Sequence, residues 1–142
     1  MPATPEAMAR TRAFARVIGP FLVIPPGIIA LRAPDMEALA VAFFENAALV
    51  WITGGFLLFG GLLIIAHHQY WSSVSAVLVS LFGWFLALRG VVLLASPQLI
   101  ERAGQHTSVS GIRIGFAALI LAGLWLTYTG WVAKPPGSGS PA

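Results

Sequence analysis

The 142-residue chain is 58% hydrophobic and only 9% charged, with no cysteine. So low a charged share, against ~25% in soluble domains, excludes an ordinary soluble fold, and apolar blocks of spanning length indicate a polytopic membrane protein. The net charge of +3 comes from basic residues scattered at helix ends, which excludes a nucleic-acid surface, and the lack of thiols excludes disulfides, thiolate zinc sites, iron–sulfur clusters and covalent c-type haem.

Residues 1–13 (MPATPEAMARTRA) are polar and rich in Pro and Ala, and read as a disordered cytoplasmic tail. The first apolar block is flanked by Arg10, Arg12 and Arg16 and predicts a spanning helix at about 14–32. A kink is expected near Pro25, where a backbone donor is lost and the ring clashes one turn back. A signal peptide shares the basic start and short apolar run. Pro20, Pro25 and Pro26 in the apolar core, with Arg32 beside Ala30 and Ala33, argue for a retained helix instead.

Pro34-Asp35 ends that block, and Asp35 offers a carboxylate as N-cap to the next element. MEALAVAFF then reads as a short amphipathic helix at the membrane interface, in the first outer loop. The second spanning helix covers about 47–66, and Gly54 and Gly61 share one of its faces. HHQYWS is a tight connection, with Tyr70 and Trp71 as interfacial anchors.

The third spanning helix, about 73–95, carries the tightest pattern in the chain. Ser73, Ala76, Ser80, Gly83, Ala87 and Gly90 alternate three and four apart, which places small residues along one helix face. In lipid such a face lets a second backbone come close. This helix is therefore expected at the centre of the fold. Ser96-Pro97 stops it, and QLIERAGQHTSVSG is a polar link with a helical turn in its first half. A fourth helix covers about 111–132, closing on Trp125, Tyr128 and Trp131, and residues 134–142 read as a disordered tail.

Basic residues near the two ends, against Asp35, Glu37 and Glu45 in the first loop, place both termini in the cytoplasm by the positive-inside rule. A faint repeat relates Gly19-x-Phe21-Leu22 to Gly83-x-Phe85-Leu86, and Gly27-Ile28-Ile29 to Gly90-Val91-Val92. It suggests a duplicated helical hairpin in one orientation, of the parallel type known in transporters.

Arg89 is a full charge inside an apolar helix, at a cost of ~2.5–3.5 kcal/mol if it lay at the bilayer centre. Glu45 is the first candidate partner, with Glu37 and Asp35 as alternatives; snorkelling to the headgroups is the simplest role. The sharper reading is an anion or lipid-headgroup site made by Arg89 and Arg113. His67 and His68 are weak metal candidates, since adjacent rings project about 100° apart on a helix, and an interfacial polar cap is the simpler role.

Catalytic templates fail in turn. There is no GxGxxG between strand and helix, no Walker sequence, no HExxH and no GxSxG. No Asp or Glu lies centrally in a spanning block, which counts against a proton-coupled multidrug exporter. No catalytic residue, cofactor or metal is assigned.

HHQYW followed by SLFGWFLALRGVVLLASPQ resembles the core of small bacterial integral membrane proteins with four predicted transmembrane helices and no established activity. The resemblance covers roughly residues 14–133. It implies a bacterial inner-membrane location and transfers no functional residue. The expectation is an all-α, four-helix membrane domain over 14–133, acting without enzymatic activity as an accessory or scaffold subunit through small-residue faces. The alternative is a small oligomeric transporter or channel with Arg89 facing a polar pathway. The lipid bilayer is the expected partner under either reading, with a membrane-protein partner or homo-oligomer as a further candidate.

Overall fold

The computed structural model describes residues 4–106 and 109–133, and over these the chain is all-helical. The six α-helices are α1 (Pro5–Leu31), α2 (Met36–Glu45), α3 (Ala47–His67), α4 (Val74–Ala95), α5 (Pro97–His106) and α6 (Val109–Thr127), the last continued by a π-helical turn, Tyr128–Val132. Four segments are long and apolar enough to cross a membrane: Pro5–Leu31, Ala47–His67, Val74–Ala95 and Arg113–Val132. The chain is thus a multi-pass membrane protein by helix length and composition. The tail expected at 134–142 lies outside the described residues.

Helix α1 begins inside the stretch expected to be a disordered tail. The Thr4 hydroxyl accepts from the Ala7 amide at 3.2 Å, and Pro5 sits in the first turn, where its missing N–H is no loss. Ala, Met, Arg and Glu favour helix through this stretch. Ala7, Thr11 and Ala15 are buried along it, so tertiary contact holds what composition alone read as a tail. The helix continues through Pro20, Pro25 and Pro26 to Leu31.

Two other ends differ from expectation. Asp35 makes no side-chain cap; its carboxylate instead accepts from Arg32 Nε at 3.3 Å. Helix α3 is capped by Asn46, whose Oδ1 accepts from the Leu49 amide at 3.2 Å, and α4 by Ser73, whose Oγ accepts from the Ala76 amide at 3.2 Å. Ser73 therefore serves as a cap and is exposed, while Ala76, Ser80, Gly83, Ala87 and Gly90 are buried. The polar link after α4 forms a full helix, α5, rather than a single turn.

The spans pack as two close pairs, α3 with α4 and α1 with α6, and α4 also touches α1 and α6. A Cβ on Gly61 would run into the Ala87 backbone nitrogen and lie 2.8 Å from the Gly83 carbonyl oxygen. One on Gly90 would meet the Leu58 backbone and lie 2.8 Å from the Gly54 carbonyl oxygen. Nothing lies near Gly55 or Gly60, on the other side of α3. The second pair is built alike. A Cβ on Gly123 would lie 2.9 Å from the Gly19 carbonyl oxygen, and one on Gly19 would meet the Thr127 backbone.

The shared core is Ala15, Ile18 and Leu22 of α1, Ile64 of α3, Val79 of α4 and Leu126 of α6. These residues cluster toward one end of the spans, where α1 begins, α3 ends, α4 begins and α6 ends. We call this the joined end.

Leucine at Gly61 should lower the thermal stability of the detergent-solubilised protein by about 1–3 kcal/mol or more, the usual cost of overpacking. Leucine at Gly60 should change it little, which paired melting curves would check.

Candidate functional site

At the joined end, α3 finishes on two histidines that face different surroundings. His67 is exposed, and its Nδ1 lies 2.9 Å from the Leu63 carbonyl oxygen one turn back. His68 leaves the helix with an extended backbone and turns inward, leaving its side chain 1% exposed. Two rings so placed cannot hold one ion together. No group of three possible His, Asp or Glu ligands gathers among the described residues.

The His68 ring joins α1 to α4. Its Nε2 lies 2.9 Å from Thr11 Oγ1 and its Nδ1 3.1 Å from Ser80 Oγ. Phe14 and Tyr70 contact it edge-on, with ring centroids at 5.6 and 5.2 Å. The Thr11 hydroxyl gives its one proton to the Ala7 carbonyl at 2.8 Å, so its oxygen is left to accept. The neutral ring then donates from Nε2 to Thr11 and accepts at Nδ1 from Ser80. A charged ring also has partners: Nδ1–H donates to Ser80 Oγ, whose proton turns to the Tyr70 carbonyl at 3.1 Å. Burial pushes the His68 imidazole below its ordinary range, against a smaller opposing pull from a backbone hydrogen bond. The neutral form is favoured, within a cluster able to hold either form.

Thr11, His68 and Ser80 are the buried polar side chains among the described residues. Further along the spans, Leu22, Leu78, Phe82, Phe85 and Leu119 line an almost wholly apolar groove of about 190 Å³ between α1, α4 and α6. The site thus offers a proton-accepting imidazole between two hydroxyls, and no carboxylate among the described residues contacts it.

The residues singled out from sequence are distributed otherwise. Arg89, Glu45 and Arg113 are all exposed, and among the described residues the one ion pair is Arg32 with Asp35. Arg89 stands six residues before the end of α4, about 9 Å along the helix. Gly54, Gly61, Gly83, Ala87 and Gly90 meet in the α3–α4 contact within this one chain.

A second polar cluster, at the same end, carried no sequence signal. Arg12 Nε and Arg16 Nε both donate to the Gly130 carbonyl, at 3.0 and 2.9 Å. Trp131 Nε1 donates to the Arg16 carbonyl at 3.2 Å, and the Arg16 guanidinium lies 5.7 Å from the Trp131 ring centre. These partners lie more than a hundred residues apart in the chain, so no local pattern could pair them. Comparison with known proteins finds no matching family model, no similar curated protein and no similar solved structure.

Two outcomes follow for His68. Thr11→Val leaves a buried N–H without its acceptor and should cost about 1–3 kcal/mol in detergent melts. Because folding depresses the imidazole from its ordinary value of 6.5, its contribution to stability is full above that value and declines as pH falls below it. Wild type should lose melting temperature from about pH 7 to about pH 5, and His68→Gln should flatten that part of the profile.

Proposed function

We propose that this protein is a non-enzymatic accessory or scaffold subunit of a bacterial inner membrane, with both termini cytoplasmic. The observation that carries the reading is how polarity is distributed. The buried polar side chains described lie at the joined end, and the groove beyond them is lined by Leu and Phe. A solute pathway through a single copy would need polar groups along the spans. A subunit that packs against other membrane proteins needs only apolar helix surface, and Trp51, Phe56, Phe59, Trp84 and Phe85 supply it on α3 and α4.

Charge placement supports the orientation. Arg10, Arg12 and Arg16 precede the core of the first span and Lys134 follows the last, against Arg32, Arg102 and Arg113 at the other end, where Asp35, Glu37, Glu45 and Glu101 also stand. Helix α2, wholly on the surface of the chain and following the first span, then lies along the outer interface.

A parallel duplication accounts for the paired spans. Under it, α1 to α3 and α4 to α6 are two copies of one unit, each a long helix, a short helix and a long helix. The Gly19–Gly123 approach then corresponds to Gly83–Gly61.

The exposed Arg89 favours one further reading, a small oligomeric transporter or channel in which copies of the chain bring this charge to a shared pathway. One pair of measurements separates the two. The accessory reading expects a stable membrane partner to co-purify after mild solubilisation, and purified protein in liposomes to pass no ions. Flux that Arg89→Ala abolishes would replace it with the transport reading.

A further inference from the structure

We propose that Arg12 and Arg16 form a binding site for a phosphate-bearing anion, of the kind an anionic phospholipid headgroup presents, at the joined end. The inference does not depend on the accessory-subunit reading. It starts from a surplus. The Gly130 carbonyl sits in the π-helical turn ending the last span, and the residue five positions on, Pro135, has no N–H to offer it. One neutral donor is enough for such a group, although its two lone pairs can accept two. At the corresponding place in the other pair of spans, the Ser80 hydroxyl makes a long 3.5 Å contact to the His68 carbonyl, with no charge involved. Gly130 instead receives two guanidinium groups.

Both arginines reach the carbonyl through Nε. Each guanidinium has five N–H donors, so the two terminal nitrogens of each side chain remain uncommitted. Those nitrogens meet no acceptor among the described residues, and the ring of Trp131 takes only the face of Arg16. Nor do the described residues supply a counter-charge. Of its five acidic residues, Asp35, Glu37, Glu45 and Glu101 belong to the opposite end, and Asp35 is paired with Arg32. Glu6 is on α1 but about 120° around the helix from Arg12 and about 15 Å along the axis from Arg16. Its neighbour on that face is Arg10.

Two like charges drawn to one oxygen repel, and the partial negative charge of a helix end offsets that repulsion only in part. An anion between the free edges of both guanidiniums would complete the balance. Phosphate oxygens match the planar fork of arginine, which makes short charge-assisted bonds to them. The position suits a headgroup, because Trp131 beside the pair is an interfacial side chain and the apolar spans begin directly below.

The test uses the full chain purified in detergent, with native mass spectrometry to count bound lipid. Phosphatidylglycerol and phosphatidylcholine of identical acyl chains are titrated, and inorganic phosphate is added as competitor. Wild type should bind phosphatidylglycerol more tightly by about tenfold or more, R12Q/R16Q should lose that preference, and R10Q should keep it. If inorganic phosphate displaces the lipid, the source is a soluble phosphate; if it does not, the source is the headgroup. Either result supports phosphate chemistry at the pair. Equal binding of the two lipids by wild type, or an equal loss in R10Q, overturns the proposal. Should R12Q/R16Q fail to fold, the wild-type preference and its persistence in R10Q decide the matter.

Discussion

Close backbone approach between helices is the constraint on which the rest depends. At Gly61 and Gly90 the facing chain is backbone, not the movable end of a side chain, so no larger residue fits without parting the helices. In lipid there is little hydrophobic gain in bringing two apolar helices together. Dispersion across closely fitted surfaces carries the association, and it decays within an ångström of lost contact. The same solution recurs at Gly19 and Gly123, so both pairs of spans are held by one kind of contact.

The pairs themselves meet on different terms. Their shared core lies at the joined end, where Leu126 and Val79 are fully buried, and His68 is set into it with hydroxyls on both sides. A buried imidazole would be costly alone. Here each ring nitrogen has a partner, so the ring can pin α1 to the α3–α4 pair where a leucine could only fill space. Beyond this end, Leu and Phe line an open groove between α1, α4 and α6, suited to acyl chains.

Charge follows the same polarity. The arginines that close the last span at Gly130 come from the first turns of α1, which ties the start of the chain to its final helix. That tie explains why residues composed like a loose tail are helical from Pro5 onward. The opposite end holds most of the carboxylates and both short helices, α2 and α5, so the two ends of the bundle differ in charge as well as in packing.

Composition and period were enough to set the helical class and the number of long apolar spans, because bilayer thickness sets the length of an apolar run and leaves helix as the way to satisfy its backbone. They also determined which small residues of α4 share a face, since that is a matter of period alone. That α3 in the same chain covers this face, and that Ser73 leaves it to cap the helix, came from the folded arrangement. Adjacent histidines were legible as a polar element, yet their opposite fates were not. The bend in the backbone after His67 turns one ring outward and the other to Thr11 and Ser80. The arginine pair on Gly130 left no trace in the linear pattern, because its partners come from opposite ends of the chain and meet only when α1 lies against α6.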